Sequence, residues 1–263
     1  MLVRSGDAEI AYDVLGKGPD VVLLHPFPAS RGVWRPVAEG LSARYRVILP
    51  DLRGHGESGA GEGPATMEKH AADVARVCDD AGVGKAVFAG NSIGGYILFE
   101  CWRQWRARIR ALVLCDTRAQ ADSAEGRATR FKSIEEVQRN GPAGFVENNL
   151  QRLLGESTRT NRPDLMDAAR RMMRQATVAG IAAVQAGMAE RPDSVATLAS
   201  IHVPTLVMVG EEDVITPAAD AELMQRGIRG SELRRIAKAG HYAPLEQAES
   251  VGAVMRKFLD RVS

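Results

Sequence analysis

The stretch AVFAGNSIGGY, Ala86 to Tyr96, places Ser92 between glycines at the point where a strand-like run gives way to a segment of helical period. In that strand–turn–helix setting the spacing G-x-S-x-G reads as a nucleophile elbow. The tight turn strains the serine and projects its hydroxyl above the sheet, while Gly90 and Gly94 leave room for it. A phosphate-binding loop would need the longer G-x-x-x-x-G-K-[ST] spacing and its lysine, which are absent. A serine hydroxyl attacks an acyl carbon only once its proton is taken, so a base must stand beside it.

Five histidines are available. His25 ends a strand-like run, His55 lies in DLRGHGES, His70 is expected on an exposed helix and His202 precedes a strand. Each reads best as a structural or surface histidine. His241 differs, because KAGHYAPLEQAE is a glycine-led loop between the run LRRIA and the last helical segment, and so overhangs the same sheet edge as Ser92. A base of this kind needs an acid to fix its tautomer and stabilise the imidazolium. Asp213, in VGEEDVITP after the run TLVMVG, gives the chain order Ser, Asp, His. Asp116, just after ALVLC, is the second candidate.

The segment VVLLHPFPAS adds another feature. Proline has no backbone N–H, so across Pro26-Phe27-Pro28 only Phe27 can donate, from a loop stiffened on both sides. A rigid lone donor suggests a target.

The elements that must hold these groups are legible as a rhythm. Apolar, β-branched runs at 21–24, 46–50, 86–90, 111–116 and 205–210 alternate with helical segments at 67–81, 93–105, 218–226 and 248–262. Continuous apolar strands separated by helices imply an α/β fold with a mostly parallel sheet covered on both faces. Residues 1 to about 14 read as a polar hairpin at the sheet edge. From 118 to 195 the sequence is helix-like only, which marks an insertion into a core formed by 1–117 and 196–263. The arginines of that insertion are nearly matched by acids, as on a solvated face.

The 263 residues are 45% hydrophobic and 25% charged, enough for one sizeable core, and 34 basic residues against 33 acidic ones leave a net charge of +1. Nothing in that balance recommends nucleic acid or an anionic membrane as a partner. Cys78, Cys101 and Cys115 are widely spaced and odd in number, which suits reduced thiols filling a core. The opening residues have no apolar signal region, and no apolar run approaches the length of a membrane span. A cytoplasmic protein is expected.

These motifs together resemble those of the α/β-hydrolase fold, in its lidded group of small carboxylesterases, enol-lactonases and cofactor-free perhydrolases. The resemblance covers nearly the whole chain: His-x-x-Pro at His25 to Pro28, DLRGHGES at Asp51 to Ser58, GNSIGG, GEEDVITP and AGHYAPLE. It implies an eight-stranded sheet and makes the 118–195 insertion a helical cap over the site. It also implies that Asp51 and His55 are structural rather than catalytic. Relatives stabilise the oxyanion with two backbone N–H groups, which by position are those of Phe27 and Ile93. Pro26 stands where the family more often has glycine, which removes no required donor but leaves open the loop conformation and the isomer of the His25–Pro26 bond. Asn91 stands where many relatives have histidine.

The resemblance thus implies a serine hydrolase that cleaves a small carboxylic ester or lactone through an acyl-enzyme, with no metal or organic cofactor. Serine at the elbow excludes the aspartate-nucleophile dehalogenases and epoxide hydrolases of this fold. Arg118 is a candidate for holding a substrate carboxylate, and Met166, Met172, Met173 and Met188 are candidates for an acyl pocket. The alternative function is a ligand receptor or signalling protein with slow or no turnover. Oligomeric state is not legible in the sequence.

Overall fold

The computed structural model describes residues 1–262. The chain opens with the hairpin β1 (Leu2–Ser5) and β2 (Ala8–Leu15), followed by β3 (Asp20–Leu24), α1 (Arg35–Leu41), β4 (Arg46–Pro50) and α2 (Met67–Asp80). Next come β5 (Ala86–Asn91), α3 (Ile93–Trp105) and β6 (Ile109–Cys115). A run of helices then intervenes: α4 (Ala124–Asn140), α5 (Pro142–Leu153), α6 (Glu156–Asn161), α7 (Pro163–Met173), α8 (Val178–Ala189) and the single turn α9 (Val195–Leu198). The chain closes with β7 (Thr205–Gly210), α10 (Ala218–Gly227), β8 (Glu232–Ile236), α11 (Ala243–Glu246) and α12 (Ala248–Val262).

The eight strands form one sheet in the order β1-β2-β4-β3-β5-β6-β7-β8. Only the pairings β1–β2 and β2–β4 are antiparallel; from β4 across to β8 every pairing is parallel. Strand side chains alternate between faces, and the two cores divide accordingly. Val22, Leu24, Phe88, Leu112 and Leu114 face a layer built from α2, α3 and α10. Val21, Leu23, Val87, Ala89, Val113 and Cys115 face α1 and α12. Burial on both sides explains why β3, β5 and β7 read as unbroken apolar runs.

Helix starts and faces follow from local chemistry. The Thr66 hydroxyl accepts the Lys69 amide and caps α2. The apolar stripe Val251, Met255, Phe258 and Leu259 turns one face of α12 onto the sheet. The same periodicity on α2 overturns the expectation that His70 is exposed: it lies on the stripe of Met67, Ala71, Val74 and Val77 and is fully buried. The three cysteines are unpaired and buried. Burial pushes the Cys78 thiol up to about 12 and those of Cys101 and Cys115 well above the ordinary range. Among the described residues no helix is long and apolar enough to cross a membrane.

Candidate active site

Three loops at the carboxyl edge of the sheet converge. Between β5 and α3, Ser92 has φ 57° and ψ −116°, a backbone state that only a tightly constrained turn holds for a non-glycine residue. The constraint is visible: a Cβ on Gly90 would lie 2.3 Å from the Gly94 carbonyl carbon, and one on Gly94 would lie 2.6 Å from the Leu24 oxygen. The turn is pinned by the Ser92 amide donating to the Cys115 carbonyl (3.0 Å) and by the Thr117 hydroxyl donating to the Ser92 carbonyl (2.7 Å). Asn91, beneath it, donates through its side-chain amide to the Cys115 carbonyl (3.3 Å) and the His241 carbonyl (3.1 Å). The residue that departs from the family pattern thus ties the elbow to the histidine loop.

After β7, Asp213 is buried and fully engaged. One oxygen accepts the amides of Ile215 (2.7 Å) and Thr216 (3.1 Å), the other the Thr216 hydroxyl (2.6 Å) and His241 Nδ1 (2.8 Å). Burial works to raise its pKa, but the charge and hydrogen bond of His241 and the two hydrogen bonds from Thr216 outweigh it, and the carboxyl sits below its ordinary value. An ionised acceptor at that position fixes the His241 proton on Nδ1. Asp116 takes no part in this pairing. Its Oδ1 accepts the Gly210 amide (2.7 Å), its Oδ2 lies 3.0 Å from the Cys115 sulfur, and burial together with the nearby Asp213 charge pushes its pKa well up.

These features are those of a known architecture, and the sequence comparison agrees: residues 19–248 match the family described as alpha/beta hydrolase fold. The chain belongs to the α/β-hydrolase fold family. A 3-oxoadipate enol-lactonase of Acinetobacter baylyi is 27% identical over 93% of this chain and 90% of its own length. Among solved structures, a thermophilic esterase from Thermogutta terrifontis is 43% identical, covers 97% of this chain and 94% of its own, and superposes with a TM-score of 0.94. The enol-lactonase from Burkholderia xenovorans LB400 is 25% identical over 99% of this chain and 100% of its own, with a TM-score of 0.92. The relatives named are hydrolases, and this α/β-hydrolase chain is akin to them along nearly its whole length.

The loop after β3 completes the edge. His25 Nε2 accepts the Leu52 amide (2.8 Å) and its Nδ1 donates to the Pro26 carbonyl (2.9 Å), so a buried neutral ring, its pKa lowered to about 4 by desolvation, bolts the His-x-x-Pro loop to the DLRGHGES motif. His55 packs edge-on against both His25 and Phe27. Asp51 accepts the amides of Arg31 (2.8 Å) and Glu57 (2.9 Å) and pairs with the Arg31 guanidinium. The isomer left open at His25–Pro26 is trans; the cis peptide bond of this loop is Phe27–Pro28. Among the described residues, neither the Phe27 nor the Ile93 amide donates to a protein acceptor.

Ser92, His241 and Phe27 open onto one cavity of about 590 Å³, within the usual range for small-molecule sites. Tyr96 and Ile215 flank them; the far wall is built from Arg130 and Ser133 of α4, Phe145, Asn149 and Leu153 of α5, and Gln185 and Met188 of α8. The α/β-hydrolase core therefore supplies the floor and the helices between β6 and β7 supply the roof.

Two expectations are corrected here. Arg118 does not line the cavity: it pairs with Asp220 at 3.3 Å and donates to the Ile215 carbonyl. Of the four methionines only Met188 reaches the cavity; Met173 is buried in a separate core with Leu150 and Tyr242, against which Met166 and Met172 pack. The sequence reading missed Thr216 and Tyr242. Thr216 holds the same Asp213 oxygen as His241, and three residues' spacing after the acid was its signal. Tyr242 donates to the Phe27 carbonyl at 3.1 Å, joining the histidine loop to the proline loop with no local signal. Among the described residues no group of side chains is arranged to hold a metal ion.

Proposed function

We propose that the protein is a serine hydrolase that cleaves a small carboxylic ester or lactone through an acyl-enzyme, with residues 118–195 as a cap over a core of 1–117 and 196–263. The observation that carries this reading is a left-handed serine at a strand–helix turn sharing a cavity with a histidine whose other nitrogen is held by a buried carboxylate.

With the proton fixed on Nδ1, His241 Nε2 is unprotonated and takes the Ser92 proton as the hydroxyl attacks the acyl carbon. Asp213, already ionised, stabilises the imidazolium that forms. The tetrahedral oxyanion accepts from the Phe27 and Ile93 amides. The first is presented by a loop fixed through His25 and Tyr242, and the second belongs to the first turn of α3, where amides have no partner within the helix. His241 then protonates the leaving oxygen, and a water activated in the same way releases the acid. Each oxyanion donor is worth roughly a hundred- to a thousandfold in rate.

The relatives' names, an esterase and two enol-lactonases, support an ester or lactone bond as the target. The roof mixes charged and amide side chains, Arg130 already paired with Asp122 and bonded to Gln185, with the apolar Phe145, Leu153 and Met188, while Phe27 adds an apolar surface near Ser92. That mixed lining suits an acyl group with both apolar and polar parts. Hydrolysis of p-nitrophenyl esters and small lactones by the wild type and by Ser92→Ala tests the reading. Turnover by the wild type and its loss by about a millionfold in the variant are expected; turnover that survives the substitution refutes the assignment.

A further inference from the structure

The loops that carry Asp213 and His241 each also carry a glutamate that the chemistry above leaves unused. Glu246 is buried, and one of its oxygens accepts the amides of Gly240 (3.0 Å) and Tyr242 (3.1 Å), the two neighbours of His241. Its other oxygen accepts the amide of Gly155 (2.8 Å), which lies in the cap between α5 and α6. Glu212, next to Asp213, accepts the Ser157 amide at 2.8 Å and the Ser157 hydroxyl. The His241 amide itself donates to the Leu153 carbonyl at 2.9 Å, and the Leu153 side chain lines the cavity. The two backbones touch as well: a Cβ on Gly240 would stand 2.3 Å from the Gly155 nitrogen.

Three amide donors converge on the Glu246 carboxylate from both of its sides. No neutral side chain satisfies them, since glutamine has a single acceptor oxygen and its NH₂ would oppose one N–H group. An unmet buried donor is costly, so the carboxylate holds the cap junction and the histidine loop as one unit.

We propose that Glu246 is a positioning residue that couples the cap to His241, so that an acyl chain pressing on the cap wall at Leu153 is registered at the catalytic base. The proposal rests on the serine-hydrolase reading, and it names the device by which that site favours substrates long enough to reach the cap.

Glu246→Gln tests it with two esters that share a leaving group, p-nitrophenyl acetate and p-nitrophenyl octanoate. The expected result is a fall in kcat on the octanoate of roughly 5- to 150-fold, the usual span of coupling between sites, against less than about threefold on the acetate. Equal losses on both esters, or no loss on either, overturn the coupling. If this variant does not fold, Glu212→Gln, whose carboxyl is half-buried at the same junction, is expected to change the ratio in the same direction, and an unchanged ratio overturns the proposal. Amide hydrogen exchange on the same variants needs no substrate. Faster exchange at Gly155 and Tyr242 together is expected in Glu246→Gln, and faster exchange at only one of them overturns the clamp. A wild type that turns over no ester would therefore refute the hydrolase reading while exchange still decides the clamp.

Discussion

Replacing Asp213 by asparagine changes one atom of a side chain that accepts four hydrogen bonds, and the structure fixes which way the amide must turn. The Ile215 and Thr216 amides need an acceptor at 2.7 and 3.1 Å, so the asparagine carbonyl stays with them and its NH₂ takes the place of the oxygen that faces His241 Nδ1. Two N–H groups cannot oppose each other there. The Thr216 hydroxyl adapts by rotating to accept, but the imidazole adapts only by moving its proton to Nε2. A base protonated on that nitrogen cannot take the Ser92 proton. Loss of the correct tautomer is expected to cost about 10⁴ in kcat in the triad proposed here, or about 5 kcal/mol of barrier. Because nearly every hydrogen bond is kept, unfolding free energy should stay within about 1 kcal/mol of wild type. Steady-state hydrolysis of p-nitrophenyl acetate together with a denaturant melt reads both quantities. A loss smaller than about tenfold, or a loss of 10⁴ produced by Asp116→Asn instead, would refute the reasoning.

Two further outcomes follow from the loops. Phe27→Pro removes the amide proposed to hold the oxyanion, whereas Phe27→Ala removes only the ring. The proline variant should lose roughly a hundred- to a thousandfold more kcat than the alanine variant, and parity between them would move the oxyanion donor elsewhere. The second outcome concerns acid stability. His25 stays neutral in the folded state down to about 4 and His55 down to about 3, both through burial, while in the unfolded chain each takes a proton near 6.5. The unfolded state therefore binds more protons between those values, so stability falls as pH drops from about 6.5 toward 4, His25 alone accounting for about 3 kcal/mol. His70, whose ring nitrogens have no hydrogen-bond partner among the described residues, adds to this slope. His70→Leu should raise the melting temperature and flatten its decline between pH 6.5 and 4.5; an unchanged slope counts against the buried cluster as its source.

Much of this architecture is readable from the amino acids because buried parallel strands and long amphipathic helices carry strong local signals. The runs at 46–50 and 205–210 and the helices at 93–105 and 248–262 fall where the structure has them. His70 shows a signal misweighed: histidine suggests a surface, yet its spacing from Met67, Ala71 and Val74 places it on the buried stripe. Arg118 shows the limit of proximity along the chain. It follows the end of β6 closely, but its partner is Asp220, about a hundred residues on, and the cavity lies elsewhere. The bonds from Tyr242 to Phe27 and from Glu246 to Gly155 span 215 and 91 residues. Such contacts depend on where whole elements come to rest, and no local pattern encodes them.

The three buried thiols have a consequence for labelling chemistry. Thiolate is the reactive form of cysteine, and at Cys78, Cys101 and Cys115 burial suppresses ionisation as well as access. A thiol-directed electrophile applied at neutral pH thus meets no exposed thiol among the described residues. A serine-directed phosphonate could therefore be counted on the proposed Ser92 nucleophile by intact mass without thiol adducts beside it.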